Sequence, residues 1–395
     1  MPKKIYTLIL FNIMMRSVIS GEILHDIIFH EQNITDKREF AEKLERLQAE
    51  ARRLLSDDVF FTLGISGGEY VYMGQWSLFE EYVDPFKRPY KNDKQKFNAR
   101  FEVFQEGLQR QAALNKKESS LNGTAVYGIN KYSDWKPEEF KLLSSHNISF
   151  NETLPDYNII KRASRWARSV KRSQCTLAKR SIPQEVDWRP YITKVKNQKN
   201  CGGCWAIVGS EQVETYTAIQ TNTKPIELSP QELLSCAPSL GCKGGNTCRA
   251  LYWLTKNKRP LVPESIYPYE ASNSSCKLNA TKCTGGGTVS RVCGCRPLKG
   301  TEHLMLQVLA EKGPLAVNVD AMSWHDYIGG IVQHHCSSKN MNHAVQIVGY
   351  NLDGPVPYYI VRNQWGPSFG EEGYMRIKYG GNVCGIAEQP SYIVA

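Results

Sequence analysis

The chain has 395 residues, of which 41% are hydrophobic and 22% charged, and its formal net charge is +10. This length and composition exclude an intrinsically disordered protein and predict two or three domain-sized units with buried cores. Eight basic residues without any acid lie between Lys161 and Arg180, so the rest of the chain carries only +2. A nucleic-acid binder would spread its basic residues over a folded face, so this run is interpreted as an exposed linker and no nucleic-acid partner is expected.

The N-terminus has the pattern of a secretory signal peptide, predicted to cover residues 1–21. Lys3 and Lys4 precede an apolar run from Ile5 to Met15, and small residues follow it. The run is shorter than the about 20 residues that cross a bilayer, so no membrane span is expected, and a buried helix is the alternative. Six N-glycosylation sequons agree with a secretory route. They begin at Asn33, Asn122, Asn147, Asn151, Asn273 and Asn279.

Two stretches before the linker have helical periodicity. Apolar residues recur at helical spacing from Phe40 to Leu54 and again from Phe97 to Ala112. Each pattern predicts an amphipathic helix with one apolar stripe. The sequence assigns no role to the N-terminal extension, residues 22–90, which contains the first of these helices.

The region after the linker differs in character from the region before it. All twelve cysteines lie from Cys175 onward, which favours an oxidised C-terminal domain. Short apolar runs such as Ala344–Val348 and Tyr358–Val361 predict strands. The segment from Cys204 to Gln220 contains no proline and has small or apolar residues at steps of three and four, so a helix is predicted to begin at about Cys204.

Cys204 is a candidate nucleophile because of its predicted place in the first turn of this helix. The positive end of the helix dipole favours a thiolate, which is the reactive form of cysteine. A thiolate that later protonates a leaving amine needs an imidazole, and the imidazole needs a third polar group to orient it. His343, at the start of one predicted strand, and Asn363, at the end of the next, are the candidates.

The Cys201-Gly-Gly-Cys204 spacing has three competing interpretations. A thioredoxin-type redox pair would need a βαβ context, which is not visible, and a zinc site would need a second paired set of ligands. Both cysteines could also lie in disulfides. No metal ligand spacing surrounds His325, His334 or His335, so these histidines are interpreted as surface or structural residues. No metal and no cofactor are expected.

Together, these residues resemble the papain family of cysteine proteases. The signature Cys201-Gly-Gly-Cys204-Trp205 has glycine where the family has serine or alanine, and His343 and Asn363 follow Cys204 by 139 and 159 residues. Further segments resemble the family's first mature strand, its substrate-binding glycines and its interdomain segment, so the likeness covers residues 181–395. These segments are Asp187–Arg189, Gly241–Gly245 and Tyr267–Glu270.

The resemblance implies an α+β fold with two domains, a helical left domain and a β-barrel-like right domain. It also extends to an N-terminal helical inhibitory propeptide, for which Arg100, Phe104 and Asn115 match one motif and Gly128–Asp134 a second. The expected organisation is a signal peptide at 1–21, the extension at 22–90, the propeptide at 91–160, a basic processing linker at 161–180 and the peptidase domain at 181–395.

The resemblance also implies residue roles. Cys204 is the nucleophile, His343 its acid and base, Asn363 the orienter of the imidazole, and Gln198 an oxyanion-hole donor. Trp365 covers the His343–Asn363 hydrogen bond. The implied substrate-binding residues are Gly244, Gly245, Asn246, Thr247, Asn318, Met341, Ala344, Trp365 and Gln389. Asn318 falls where the family commonly has an apolar residue. A buried amide without a partner at that wall favours water or a polar ligand group, which predicts weak discrimination at the P2 position of the substrate.

The family's disulfides map onto Cys201–Cys242, Cys236–Cys276 and Cys336–Cys384. With Cys204 kept as a thiol, five cysteines stay unassigned. They are Cys175, Cys248, Cys283, Cys293 and Cys295.

The implied function is that of a cysteine endopeptidase made as a secretory-pathway zymogen and acting in lysosomal or extracellular proteolysis. Its expected partners are polypeptide substrates and its own propeptide as an intramolecular inhibitor, and the mature enzyme is expected to be a monomer. The alternative is a catalytically silent paralogue that acts as a binding protein. Ile207, Gln364 and Phe369 favour that alternative, because the family usually has Phe, Ser and Trp there.

Overall fold

The computed structural model describes residues 67–143, 177, 181–277, 287, 291–294 and 302–394. The chain divides into two compact units, residues 1–97 and 98–395. The predicted signal peptide, the first periodic stretch and nearly all of the basic linker lie outside the described residues. So do the sequons at Asn33, Asn147, Asn151 and Asn279.

The described part of the first unit is an aromatic cluster built on helix α1, Gly67–Val83. Phe79 is fully buried, and its ring lies 4.9 Å from the ring of Phe97 and 5.9 Å from that of Tyr82. Rings at these separations bury large apolar areas and add favourable edge and offset contacts. Part of the segment without an assigned role therefore forms ordered structure.

Helix α2, Lys94–Ser120, confirms the second periodic stretch as a helix. In the part of this helix that belongs to the second unit, the apolar side chains of Phe101, Val103 and Phe104 are buried. Two short elements follow it, strand β1 at Val126–Tyr127 and helix α3 at Pro137–Phe140.

The helical part of the second unit follows the linker, and three of its α-helices fall within the described residues. They are α4 at Cys204–Thr221, α5 at Pro230–Cys236 and α6 at Thr247–Asn257. Their shared core includes Trp205, Val213, Leu233 and Leu251, each at most 1% exposed. Helix α4 is buried on almost every side, so its acids Glu211 and Glu214 lie in the interior.

The remaining strands of the second unit that the structure describes are β2 Glu185–Asp187, β3 Arg291–Gly294, β4 Leu315–Val319, β5 Tyr327–Gly329, β6 Ile331–Val332, β7 His343–Asn351, β8 Tyr358–Arg362, β9 Tyr374–Lys378 and β10 Ser391–Val394. Strand β5 pairs with β1, and the others form one mixed sheet in the order β3-β10-β4-β7-β8-β9-β6, with β2 also paired to β7. Helix α7, Glu302–Glu311, packs in the core beside this sheet. The end strands β3 and β6 do not pair with each other within the described residues, so the right domain is an open sheet here and not a closed barrel. The α+β prediction is confirmed.

Helix α4 packs against this sheet at the first residues of β7. Cys204 and Val208 from the helix form one buried cluster with Ala316 of β4 and Ala344 of β7. Small side chains at these positions allow the helix and the strands to approach closely. The first turn of the helix therefore lies beside the start of β7. Among the described residues, no helix has both the length and the apolar character needed to cross a membrane.

Candidate active site

Cys204 is the first residue of helix α4 and is fully buried. It keeps its thiol, whereas Cys201 forms a disulfide with Cys242. Gly202 N–H donates to the carbonyl of Cys242 at 2.9 Å, which ties the approach to the helix to the 241–245 loop. The thiol therefore lies where the helix dipole favours its ionised form. Because Cys201 is in a disulfide, the redox and zinc interpretations of the Cys-x-x-Cys spacing do not apply.

His343 and Asn363 form a hydrogen bond of 2.8 Å between His343 Nε2 and Asn363 Oδ1. The backbone N–H of Gln364 also donates to Asn363 Oδ1, at 2.8 Å, so this atom is the acceptor in both bonds. His343 Nε2 must then carry the hydrogen, which leaves Nδ1 as the basic nitrogen. Nδ1 is buried and has no hydrogen-bond partner among the described residues.

Two indole rings shield this hydrogen bond from water. The Trp365 ring stacks on the His343 ring at 4.9 Å with an interplanar angle of 25°, and the Trp324 ring meets His343 edge-on at 6.1 Å. Both indoles are 1% exposed. A hydrogen bond to an imidazole is stronger in such an apolar environment than in water.

Gln198 lies next to these rings and is fully buried. Its side-chain oxygen accepts from Trp365 Nε1 at 3.1 Å, which fixes the orientation of the amide. Its Nε2 donates to the carbonyl of Cys201 at 2.9 Å and to the carbonyl of Leu143 at 2.7 Å. The Leu143 carbonyl, which lies before residue 181, therefore accepts a hydrogen bond from the Gln198 side-chain amide that was predicted to be an oxyanion-hole donor.

The segment that supplies Leu143 also covers the aromatic rings beside His343. Phe140 stacks on His325 at 4.3 Å and meets Trp365 edge-on at 5.1 Å. His325 Nε2 bonds the carbonyl of Tyr132 at 2.9 Å, and burial lowers the pKa of His325, which favours the neutral form of its ring. His325 is thus a structural residue, in the way the sequence suggested.

A second group of contacts from the same segment converges on Asp326, which is fully buried. Arg110 bonds its carboxylate through Nε at 2.5 Å and through a terminal nitrogen at 3.0 Å, and Gln111 Nε2 adds a bond of 2.9 Å. Strand β1 pairs antiparallel with β5 immediately after Asp326. Sequence reasoning did not find Asp326, Phe140 or Leu143, because nothing local marks a residue whose partner lies far along the chain, 55 positions away for Leu143 and 216 for Asp326.

Four of the predicted substrate-binding residues line one small cavity. The Asn318 amide donates to Gln389 Oε1 at 2.7 Å and is therefore already satisfied, whereas the sequence-based argument assumed an amide without a partner. Met341 packs against Gly385, and Ala344 is fully buried in the cluster around Cys204. These two are not among the lining residues, which are Asn246, Thr247, Cys248, Ala316, Val317, Asn318, Gln389 and Ser391.

Gly244 and Gly245 form the turn that leads into this cavity. Gly244 has a φ of 126°, which favours glycine, and a Cβ on Gly245 would lie 2.3 Å from the Trp205 ring. The two glycines thus let the loop lie directly on the indole that follows Cys204.

The structure contains the three disulfides that the family resemblance implied, Cys201–Cys242, Cys236–Cys276 and Cys336–Cys384. Cys248 is also disulfide-bonded. The described sequons Asn122 and Asn273 are both exposed at the surface. No cluster of three or more potential metal-ligating side chains occurs in the ranges that the structure describes.

Comparison with known proteins places the two parts of the chain in two families. Residues 182–394 match the model for papain family cysteine proteases, and residues 79–140 match the cathepsin propeptide inhibitor domain (I29). The second match begins inside the segment 22–90 to which the sequence assigned no role.

The chain is similar to curated and solved proteins over most of its length. It is 40% identical to cathepsin O of Homo sapiens over 295 residues, which is 74% of this chain and 86% of that protein. It is 41% identical to cathepsin O of Mus musculus over 290 residues, 72% of this chain and 87% of that protein. The solved structure of digestive procathepsin L 3 from Tenebrio molitor larval midgut superimposes with a TM-score of 0.67 at 27% identity, covering 82% of this chain and 99% of that one.

Proposed function

The chain belongs to the papain family of cysteine proteases. We propose that it hydrolyses peptide bonds of its substrates with the side chains of Cys204, His343 and Asn363 as the catalytic groups. It is a papain-like cysteine peptidase that carries a cathepsin propeptide inhibitor domain. The observation that carries the proposal is the His343 Nε2 to Asn363 Oδ1 bond, which leaves the basic Nδ1 buried beside the start of helix α4.

In the first half of the reaction, the Cys204 thiol transfers its proton to His343 Nδ1, and the thiolate attacks the carbonyl carbon of the scissile peptide. The developing oxyanion accepts hydrogen bonds from Gln198 Nε2 and the backbone N–H of Cys204. Loss of one such donor in a protease costs about 2.7–4 kcal/mol of transition-state stabilisation. The imidazolium then protonates the leaving amine, and an acyl-enzyme forms on Cys204.

In the second half, His343 Nδ1 takes a proton from water, and the resulting hydroxide attacks the thioester. Collapse of the second tetrahedral intermediate releases the acid and restores the thiolate and the imidazolium. Asn363 keeps the ring in the one orientation that serves both steps. The rings of Trp365 and Trp324 exclude bulk water from that bond.

The segment before Ser181 is the intramolecular inhibitor in this proposal. The Leu143 carbonyl accepts a hydrogen bond from Gln198 Nε2, and the Phe140 ring packs edge-on against Trp365. A substrate carbonyl therefore has no access to the oxyanion donor while the segment is in place. The Arg110–Asp326 ion pair holds the segment on the peptidase domain. Latency thus depends on the same amide that stabilises the transition state.

The proposed route is secretory, with residues 1–21 as the signal peptide and the lysosome or the extracellular space as the site of action. Support comes from the N-terminal pattern, the sequons and the similarity to cathepsins. Activation is proposed to cut near Lys179-Arg180, so that Ser181 or Ile182 begins the mature chain. N-terminal sequencing of the active enzyme tests this; a start beyond Asp187 would remove β2 and contradict it.

Labelling with an epoxide inhibitor that alkylates only an activated thiol tests the catalytic proposal. The processed enzyme should incorporate one equivalent of label and cleave a peptide substrate, and Cys204→Ser should do neither. The uncut zymogen should react far more slowly, because the propeptide covers the site. A processed enzyme that folds but takes no label would support the alternative of a catalytically silent binding protein.

A further inference from the structure

Three fully buried polar side chains form a cluster between the helix of Cys204 and the peptide of Asn363. They are Glu211, seven residues after Cys204 on α4, Arg362 at the end of β8, and Gln364. Arg362 Nε lies 3.3 Å from Glu211 Oε1, and Gln364 Nε2 donates to Glu211 Oε2 at 3.4 Å. The residues on either side of Asn363 therefore both contact one carboxyl group on the helix of the nucleophile.

The backbone of Gln364 contacts the side chain of Asn363 and the backbone of Gln198. Its N–H donates to Asn363 Oδ1 at 2.8 Å, and its carbonyl accepts from the N–H of Gln198 at 2.8 Å. Asn363 Nδ2 is buried and has no hydrogen-bond partner among the residues that the structure describes, so within these residues the Asn363 side chain is oriented through the bonds that Oδ1 accepts. A displacement of Gln364 would therefore move the orienter of His343 and the oxyanion donor together.

We propose that Gln364 and Glu211 are positioning residues of the active site, whose side-chain contact fixes the peptide at Gln364 relative to the helix that carries Cys204. This inference rests on the proposed catalytic function of Cys204, His343 and Asn363. A serine, which the family usually has at position 364, has too short a side chain to reach Glu211 in this way. The long amide at 364 and the buried carboxyl group at 211 therefore act as a pair in this chain.

The charges around Glu211 determine how the pair is tested. The negative charge of Glu211 is attracted by Arg362 from β8 and by Lys196 from the loop before α4. Glu214, which lies on the same helix as Glu211, repels that charge. Tyr374 from β9 also faces it. Burial is the largest effect and raises the pKa of Glu211 to about 7, so in acid the group is neutral and has the shape of glutamine. Glu211→Gln therefore removes the charge and keeps the contact, whereas Glu211→Leu removes both.

The experiment compares processed enzymes whose concentration is set by titration with the epoxide label, so that only active molecules count. Gln364→Ser and Glu211→Leu should each lower kcat about 10- to 100-fold with KM changed less than about threefold, because misplaced catalytic groups cost rate rather than binding. The double variant should be no slower than the slower single variant, since both remove one contact. Glu211→Gln should keep wild-type kcat at pH 5, where Glu211 is itself neutral, because it keeps the contact with Gln364 that Glu211→Leu removes.

The matched control is Glu232→Gln, which alters an equally buried carboxylate that bonds Arg259 at 2.7 Å and the backbone N–H of Val262 at 2.9 Å and that makes no hydrogen bond to residues 363–365 in the described structure. It should lower thermal stability and leave kcat unchanged. The proposal is overturned if Gln364→Ser keeps wild-type kcat, if the two single effects multiply in the double variant, or if Glu211→Gln lowers kcat at pH 5 as far as Glu211→Leu does. Should Gln364→Ser or Glu211→Leu fail to fold, the kcat of the other single variant, compared with that of Glu211→Gln, still decides. A wild-type enzyme that takes no label would instead refute the catalytic function itself.

Discussion

Replacing Arg110 with glutamine should weaken the latency of the zymogen without changing the mature enzyme, because Arg110 lies in the part that the proposed activation removes. Arg110 donates twice to Asp326, and the carboxylate has no exposed surface while the arginine is 27% exposed. Removing one partner of a buried pair costs about 3–5 kcal/mol. Because the arginine is partly solvated and Gln111 still bonds Asp326, we expect about 2–3 kcal/mol, or a shift of about 30- to 150-fold in the equilibrium of propeptide release.

The assay follows the purified zymogen after transfer to the pH at which it processes itself. The Arg110→Gln zymogen should take up the epoxide label before any cleavage and should process faster, by up to the same factor. Lys116→Gln is the matched control, since it removes the same charge from an exposed position on the same helix. Equal labelling and processing rates for Arg110→Gln and Lys116→Gln would refute the role of the pair, and unequal kcat of the mature products would show an unintended change.

Three further predictions address the thiol, the substrate pocket and pH. Alkylation of Cys204 should remain fast at about pH 5, as for a thiol paired with imidazolium, and a rate that only rises through about pH 8–9 would exclude that pair. Asn318→Val should remove the bond to Gln389 and raise the preference for leucine over glutamine at P2 by about tenfold in a peptide library; an unchanged preference would show that the amide plays no part. The pKa of Glu211 is raised from 4.5 to about 7 in the folded chain, so the folded chain binds the Glu211 proton more tightly than the unfolded chain does. The stabilisation of the fold by this protonation is therefore fully present below about pH 4.5 and is lost as the pH rises through about 7. In urea titrations, the free energy of unfolding of Cys204→Ala/Glu211→Gln should rise by about 3 kcal/mol relative to that of Cys204→Ala between pH 4.5 and 8. A difference between the two variants that does not change with pH would contradict the raised pKa of Glu211.

The amino-acid sequence by itself determined the elements whose signal is local. The periodicity from Phe97 onward and the absence of proline after Cys204 predicted helices that the structure contains at Lys94–Ser120 and Cys204–Thr221. Apolar runs likewise predicted β7 and β8. These predictions succeed because side chains on one helix face or one strand repeat at a fixed spacing. The family motif then added the candidate roles of Cys204, His343, Asn363 and Gln198.

Only the tertiary structure decided which distant groups meet. Glu211 has the spacing of an ordinary helix acid, yet the sheet that packs on α4 buries it against Arg362 and Gln364. The Asn318 amide, expected to lack a partner, bonds Gln389 across 71 residues, and the Leu143 carbonyl reaches Gln198 across 55. Periodicity reports which face of an element is apolar, but not which element covers it. Burial, hydrogen-bond satisfaction and the resulting pKa of a carboxyl group depend on that covering element, so they follow only from the folded chain.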